Sequence, residues 1–367
     1  MQAPRSAVSR RDLFRLRPSR RRAHGNDPPL PAPERLNGGD LLLANRSAMG
    51  SYFEVRISAR TPGGLGLANA ALDLIGDLEQ QLTVYRDDSE VSRLNASAHL
   101  GPIEVEPGLF DLLQTAVALS LETGGAYDVA AGALSEVWGF FKGPKRVPDA
   151  ETLADARART GSRLLRLDPD RRTLTFQRPG VVINLGSIGK GYALDRVAEL
   201  IRGYWWPTSA LIHGGRSSLF ALGSPPDRFG GRWEIGLRNP FDPEHPLGMV
   251  RLRNRGLGTS GSAFQQFEVN GRRYGHILDP RTGIPPSGGP LSVTVLAPTA
   301  AEADALSTAL SLLGPGGASE LLEHRPEVGA IFVVEDDQGA PQLITLNVSE
   351  ADFTPAAESL SEVLGEL

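Results

Sequence analysis

Residues 181–201 read VVINLGSIGKGYALDRVAELI, and this stretch decides how the middle of the chain is organised. The β-branched run at residues 181–183 predicts a short strand. Glycines at positions 186, 189 and 191 predict a tight turn after it. Apolar residues at helical spacing, from Leu194 to Ile201, then predict a helix.

The turn in this stretch has two interpretations. A helix N-terminus preceded by glycines offers free N–H groups and a positive dipole end, which suits a phosphate. The spacing of Gly186, Gly189 and Gly191, however, fits neither the dinucleotide-binding nor the P-loop pattern, and Lys190 is not at the P-loop position. An anion site and a plain strand-to-helix turn are therefore both retained.

Composition limits the classes of function. The chain has 367 residues, a formal net charge of -5 and 40% hydrophobic residues, which indicates a globular protein with a sizeable core. The mild acidity argues against nucleic-acid binding. Because the chain has no cysteine, thiol nucleophiles and thiolate metal sites are excluded, and a metal would need oxygen or histidine ligands.

The N-terminal segment, residues 1–40, differs from the rest. It is rich in arginine and then in proline, so we predict a disordered basic segment, followed by one folded domain over residues 41–367. Residues 9–14, SRRDLF, resemble a twin-arginine export motif, but arginines interrupt the apolar region that should follow. Both a cytoplasmic and an exported location stay open. No apolar run is long enough to span a membrane.

The order of predicted elements favours an α+β fold with mixed sheets and flanking helices. Strands are predicted at residues 53–57, 165–167, 174–177, 210–213, 218–222, 233–237, 249–252 and 293–296, and helices at residues 67–82, 89–94, 107–121, 150–159 and 299–313. They do not alternate as a regular βα repeat, which argues against a doubly wound sheet. Asp128 is the single acid near the start of an apolar stretch, so it is predicted to be a cap or a ligand-facing group.

Two further segments could carry chemistry. In residues 258–286, Thr259, Ser260 and Ser262 are predicted to lie in a glycine-rich turn and to offer donors for an anion. His276 is predicted to lie in a short strand, GHILD, as a functional residue or, alternatively, as a structural histidine. In residues 291–314, Thr299 and Glu302 form a capping box that fixes the helix register.

That register puts oxygen-bearing side chains on one face of the helix. Asp304, Ser307, Thr308 and Ser311 are spaced at i, i+3, i+4 and i+7. One carboxylate with hydroxyls suits Mg²⁺, which keeps several waters. A solvated helix face is the alternative.

Taken together, these segments resemble the ApbE family of FAD:protein FMN transferases. The matching pieces occur in the family's order. They are Met49-Gly50, TVYRDDSEVSRLN (83–95), GGAYDVAAGALSEVWGF (124–140), INLGSIGKGYALDRV (183–197), HGGRSSLFALG (213–223), GTSGSAFQQFE (258–268), YGHILDPRTG (274–283) and EADALSTAL (302–310).

The resemblance implies an ApbE-like, T-fold-related architecture and a specific reaction. FAD would bind in a cleft with Mg²⁺ at its pyrophosphate, and the FMN part would pass to a Thr or Ser hydroxyl of a target flavoprotein, with release of AMP. The implied base is His276. The implied metal ligands are Asp304, Thr308, Ser307 and the backbone carbonyl of Ser187. The implied FAD contacts are Met49, Thr83, Val84, Tyr85, Ala126, Tyr127, Asp128, Asn184, Lys190 and Ile277.

The chain departs from the family pattern at Asn184 and Ser307, where many relatives carry acids. Both changes lower the negative charge around the metal, so weaker Mg²⁺ binding is one expectation. Arg216-Ser217 likewise replaces an acid often seen there. Two alternative functions follow: an FAD pyrophosphatase that yields FMN and AMP, and a non-catalytic flavin-binding carrier.

Overall fold

The computed structural model describes residues 41–141, 143–204, 209–215, 217–227, 230–242, 244–261, 266–269, 271–337 and 339–356. The prediction for residues 1–40 lies outside this part of the chain, as do Arg216 and Ser262. Within the described ranges, every helix falls short of the length or the apolar content needed to cross a bilayer.

The described chain alternates strands and helices without a regular repeat. The strands are β1 Leu41–Ala48, β2 Ser51–Ser58, β3 Ile103–Glu104, β4 Leu165–Asp168, β5 Thr173–Phe176, β6 Ala210–Gly214, β7 Ser218–Leu222, β8 Trp233–Leu237, β9 Gly248–Leu252, β10 Arg255–Gly261, β11 Gln266–Val269, β12 Arg272–Gly275, β13 Ser292–Ala297, β14 Gly329–Glu335, β15 Pro341–Leu346 and β16 Phe353–Pro355. The helices are α1 Gly64–Leu82, α2 Glu90–Ser97, α3 Pro107–Glu122, α4 Gly132–Val137, α5 Ala150–Ala158, α6 Gly189–Tyr204 and α7 Ala300–Leu322, with a 3₁₀ turn at Ser162–Leu164.

One eight-stranded antiparallel sheet organises the fold. Its strand order is β1-β2-β6-β7-β10-β13-β14-β15. On one face, α1 packs against β1 and β2, α6 against β6 and β7, and α7 against β10 and β13. On the other face, a three-stranded sheet of order β16-β9-β8 closes a second apolar core. The predicted α+β class with flanking helices is confirmed, and the sheets of the described chain are antiparallel rather than mixed.

The local signals placed most elements correctly. Ser89 caps α2 by accepting a hydrogen bond from Ser92 N at 3.0 Å. At the start of α7, Thr299 Oγ1 accepts from Glu302 N at 3.1 Å and donates to Glu302 Oε2 at 3.0 Å, so the predicted pair caps the helix. The helix also continues past its predicted end, because a break at Gly314, with φ 67°, joins a second helical leg to the first.

The predicted strand at residues 181–183 is wrong, since this segment lies outside every sheet of the described chain. Its backbone is satisfied by other partners. The side-chain amide of Asn95 donates to Ile183 O at 2.9 Å and accepts from Ile183 N at 2.8 Å, and Val182 O accepts from Gly132 N at 3.0 Å. A side chain thus takes the place of a neighbouring strand.

Helix α7 lies directly on β10 because alternate residues of this strand have no side chain. A Cβ at Gly256 would be 2.5 Å from Ala300 Cα, and one at Gly258 would be 2.4 Å from the carbonyl carbon of Ala303. Leu257 points to the other core. The next position on the α7 side is Ser260, whose hydroxyl lies 2.8 Å from Ser307 Oγ. The close contact therefore brings the polar end of β10 against the polar face of α7.

We predict that Gly258→Ala lowers the free energy of unfolding by about 1–3 kcal/mol, because the added methyl group meets the α7 backbone rather than a mobile side chain. Urea denaturation would measure the change. Gly66→Ala is the matched control, since Gly66 is an exposed helical residue with open space around its Cα and alanine there should stabilise the protein by about 0.5–1 kcal/mol. Equal stability of Gly258→Ala and the unmodified chain would contradict the packing described here.

Candidate functional site

A cleft of about 530 Å³ lies where the loop before α6, the second turn of α7, the end of β10 and the segment after β12 meet. Eleven of the residues that the family resemblance implied for the site line it: Tyr85, Tyr127, Asp128, Asn184, Ser187, Lys190, His276, Ile277, Asp304, Ser307 and Thr308. Pieces that are far apart in the chain therefore form one polar cavity.

Met49 is not among the residues that line this cleft. It lies in the turn between β1 and β2 with a φ of 51°, and its backbone N–H donates to Glu79 Oε1 of α1 at 2.5 Å. A non-glycine residue rarely adopts such a φ. The turn is thus held in an unusual conformation by the end of the neighbouring helix.

Three other residues singled out from the sequence also lie outside the lining. Thr83 is the C-cap of α1, and its Oγ1 accepts a hydrogen bond from Tyr85 N at 3.2 Å. The side chains of Val84 and Ala126 are buried in the core, with 7% and 1% exposed. Because they directly precede Tyr85 and Tyr127 in the chain, their burial fixes the backbone from which those two rings reach the cleft.

Asp304 is the buried carboxylate of the cleft. Only 6% of the residue is exposed, and its Oδ2 accepts a hydrogen bond from Gly191 N at 2.8 Å. Burial raises the pKa of Asp304 to about 6, although Lys190, the Ser218 hydroxyl and the Gly191 amide each favour the ionised form. A cation beside this carboxylate would relieve the cost of its burial.

Hydroxyl groups surround the same turn of α7. Ser260 Oγ lies 2.8 Å from Ser307 Oγ and 3.2 Å from Thr308 Oγ1, and Ser307 is only 1% exposed. The alternative of a solvated helix face is therefore wrong. The expectation that Ser260 and Thr259 lie in a glycine-rich turn is wrong as well, because both belong to β10, where Thr259 N donates to Ser217 O.

The donor set of the cleft fits a hard divalent cation. It offers one carboxylate with hydroxyl and carbonyl oxygens, and no group of three or more His, Cys, Asp or Glu side chains with metal-site geometry occurs among the described residues. Such a set suits Mg²⁺, which retains waters and shares ligands with a phosphate, better than Zn²⁺ or Ca²⁺.

The loop before α6 presents its polar groups to the cleft from the opposite side. Asn184 Oδ1 accepts from Gly186 N at 2.9 Å, which closes a tight turn, and Asn184 N donates to Val129 O at 2.9 Å. Lys190 follows in the first turn of α6 and lines the cleft with Ser187. The loop thus places the positively charged side chain of Lys190 and a tight backbone turn beside Asp304.

Gly191 has a different role from the one expected. The sequence predicted that the N–H groups of this glycine-rich turn could bind a phosphate, but Gly191 N donates to Asp304, and a Cβ at Gly191 would lie 2.1 Å from Ala300 O. This glycine therefore permits contact between α6 and α7. A Cβ at Gly186 would lie 3.1 Å from its nearest neighbour, and one at Gly189 would lie 3.5 Å away. Contact of a ligand with the backbone therefore stays a prediction for these two glycines.

Asp128 and Tyr127 line the same wall of the cleft but differ in how well they are satisfied. The Asp128 carboxylate accepts four hydrogen bonds, from Ser120 Oγ, Ala130 N and the backbone and hydroxyl of Ser162, at 2.7–2.9 Å. The Tyr127 hydroxyl is buried and makes no hydrogen bond of good geometry. Its pKa is raised by burial and by Asp128, and the nearby Ser187 side chain opposes this only in part. Tyr127 is therefore a donor without an acceptor.

His276 begins the segment that leaves β12, not a strand of its own as its surroundings suggested, and it lines the cleft with Ile277. The turn that follows is rigid: Arg281 Nε donates to Asp279 Oδ1 at 2.9 Å, and Trp138 Nε1 donates to Gly283 O at 2.9 Å. This bracing fixes the path of the backbone on which the histidine is carried.

The sequence reasoning missed several residues. Lys145, Phe140, Ser135 and Ser217 line the cleft without having been assigned to it. Lys145 is one of only three lysines in the chain, so its rarity was an available signal. Asp195 was missed because its partners, the amides of Ala300 and Ala301, are more than 100 positions away; burial raises its pKa to about 7.

Comparison with known proteins connects this cleft to one family, since the model of the ApbE family matches residues 49–332. The chain belongs to the ApbE family. A curated ApbE relative from Klebsiella pneumoniae, named FAD:protein FMN transferase, is 32% identical over 313 residues, which cover 82% of this chain and 88% of the relative. A relative of the same name from Treponema pallidum is 32% identical over 307 residues, covering 78% of this chain and 83% of its own.

Solved structures of ApbE proteins share the fold of this chain. The apo form of the Pseudomonas stutzeri flavinyl transferase ApbE aligns with a TM-score of 0.71 and 32% identity, covering 83% of this chain and 94% of its own. The ApbE protein of Thermotoga maritima aligns with a TM-score of 0.75 and 28% identity, covering 82% and 96%. The predicted ApbE family, fold and enzyme class are confirmed.

The burial of Asp304 predicts a pH-dependent gain in stability for Asp304→Asn. A carboxyl whose pKa rises from 3.8 to about 6 on folding destabilises the folded state above pH 6, by about 3 kcal/mol, and this effect vanishes below pH 4. Thermal unfolding in EDTA should therefore show the variant to be more stable than the parent chain at pH 8 and equal to it near pH 4. A less stable variant at pH 8 would show that ionised Asp304 is stabilised by its partners.

Proposed function

We propose that this protein transfers the FMN part of FAD to a Thr or Ser hydroxyl of an acceptor protein and releases AMP, in a reaction that depends on Mg²⁺. One observation carries the proposal. A single cleft combines a buried carboxylate with hydroxyls, Asp304, Ser307 and Thr308, on one wall, a lysine on a second and a histidine on a third. The names of the relatives support the transfer of FMN from FAD to a protein.

The cleft is suited to a flavin dinucleotide in size and in lining. Its volume of about 530 Å³ lies in the range of small-molecule sites. Tyr85 lines it with 66% of its surface exposed, and its ring packs against Phe141 at a centroid distance of 5.2 Å. A braced and exposed aromatic ring offers a face for the isoalloxazine ring. Lys190 supplies positive charge for the pyrophosphate.

Mg²⁺ fits the wall formed by Asp304, Ser307, Thr308 and the carbonyl of Ser187, where it would neutralise charge on the pyrophosphate oxygens. The protein's part is to hold these oxygens in place and to keep Asp304 ionised. Ser307 contributes a neutral hydroxyl where many relatives have an acid, and this hydroxyl is already bonded to Asp304 O at 2.8 Å. The expected weakening of Mg²⁺ binding by Ser307 and Asn184 stays a prediction.

In the proposed step, His276 takes the proton of the acceptor hydroxyl. The hydroxyl oxygen then forms a bond to the phosphorus of the FMN half, the bond from that phosphorus to the bridging oxygen breaks, and AMP leaves with the electron pair. Imidazole titrates near neutrality, so it suits this task. Phosphoryl transfer depends mainly on positioning and charge stabilisation, and the proposal accordingly requires no nucleophile from the enzyme.

The test is co-expression with a flavoprotein that carries an acceptor Thr, followed by intact mass of the acceptor. We expect an adduct with the mass of FMN less one water. His276→Ala should slow its formation by about a hundredfold or more, and Asp304→Ala by a similar factor. His324→Ala is the matched control, since His324 is exposed and does not line the cleft.

Three results would contradict the proposal. Labelling by His276→Ala at the parent rate would remove the base from the mechanism. Release of FMN and AMP without an adduct would instead support the pyrophosphatase, and bound FAD that stays intact with Mg²⁺ and the acceptor would support the carrier.

Tyr127→Phe tests whether the unsatisfied hydroxyl serves the ligand. Removing a buried donor without a partner should leave the ligand-free protein as stable or stabilise it by about 1 kcal/mol, whereas FAD affinity should fall several-fold. Thermal unfolding without FAD and titration of flavin fluorescence would measure the two effects. A loss of stability together with unchanged FAD affinity would show that Tyr127 has a structural role.

A further inference from the structure

Helices α6 and α7 are joined by two matched pairs of residues. Gly191 and Asp195 are four residues apart on α6, and Ala300 and Asp304 are four apart on α7, so each pair lies on one face of its helix. The pairs connect in antiparallel order. Gly191 N donates to Asp304 Oδ2 at 2.8 Å, and Ala300 N donates to Asp195 Oδ1 at 2.8 Å.

Asp195 makes a second bond of the same kind, because its Oδ2 accepts from Ala301 N at 2.9 Å. Each carboxylate oxygen thus receives one of the first two amides of α7. These amides have no partner within their own helix, and an acidic group at this end is also favoured by the helix dipole. Gly191, which has no side chain, allows the two helices to approach until both bonds form.

The two helices carry opposite walls of the cleft. Ser187 and Lys190 stand at the start of α6, and Asp304, Ser307 and Thr308 lie one to two turns into α7. Asp195 itself is partly buried and is not among the cleft-lining residues. Any displacement of the first turn of α7 along α6 would move Asp304 away from the loop that faces it.

We infer that Asp195 is a positioning residue that sets the distance between the α6 loop and the oxygen-bearing face of α7, and thereby the affinity of the cleft for a divalent cation. The inference rests on the proposed function, because it takes those two walls as the metal site. Groups that orient ligands from outside a metal site commonly change its affinity by about 10–100-fold.

A second cap on the same helix supplies the control. Thr299 Oγ1 accepts from Glu302 N at 3.1 Å, which satisfies the third amide of α7, but Thr299 does not line the cleft. Thr299→Ala therefore removes a cap from the same helix end without touching α6. If Asp195 acted only through helix stability, the variants Asp195→Asn and Thr299→Ala would have the same effect on the cation.

The experiment measures Mn²⁺ binding to the full chain by electron paramagnetic resonance, with Mn²⁺ as the probe for Mg²⁺, in the presence of FAD. We expect Asp195→Asn to raise the Mn²⁺ dissociation constant about tenfold or more, because an amide can accept only one of the two bonds. Thr299→Ala should stay within about twofold of the parent chain while lowering the thermal unfolding temperature.

The outcomes separate this inference from the proposed function. Equal Mn²⁺ affinity in the parent chain and Asp195→Asn would overturn the inference alone. If the parent chain transfers flavin in EDTA and does not bind Mn²⁺, the metal site and the inference are both overturned. If Asp195→Asn does not fold, Asp195→Ser repeats the measurement with a smaller acceptor. Failure of both variants to fold would assign Asp195 to the stability of the fold and overturn the inference.

Discussion

The hydrogen bond from Gly191 N to the buried carboxylate of Asp304 is the contact on which the cleft depends. It can form only because α7 lies against backbone on two sides, against Gly191 of α6 and against Gly256 and Gly258 of β10. A side chain at any of these positions would move the helix outward. Three glycines from two distant segments thus determine where Asp304 stands, although none of them provides a side chain to the cleft.

This constraint explains why the same sheet can hold a stable core and a polar site. On the apolar side of β10, Leu257 packs with the second core, while Ser260 faces α7 and meets Ser307 at 2.8 Å. The alternation of a strand therefore separates the two environments within a few residues. The polar groups lie where the helix is closest to the sheet, so they are ordered before any ligand binds, which favours a preorganised site.

Much of the fold and part of the site could be predicted from local sequence signals. The capping box at Thr299 fixed the register of α7, and with it the shared face of Asp304 and Thr308. His276 stood out only through resemblance to a family, because a single histidine has no periodic pattern. The predicted strand at residues 181–183 failed because Asn95, 88 positions away, supplies hydrogen bonds that a strand would otherwise provide. Asp195 and Ser260 depend on contacts of the same long range, which local spacing does not encode.

Two groups that a stable core would avoid lie at the cleft. Asp304 is buried with a pKa raised to about 6, and the Tyr127 hydroxyl is buried without a hydrogen bond, whereas Asp128 beside it accepts four. A carboxylate with four partners holds the wall in place, and a hydroxyl with none has bonding capacity left for a ligand. Asp128 therefore supports this wall of the cleft, whereas Tyr127 is available to bind a ligand. An unsatisfied hydroxyl and a buried carboxylate that line one cavity thus indicate a ligand site on physical grounds, independently of family resemblance.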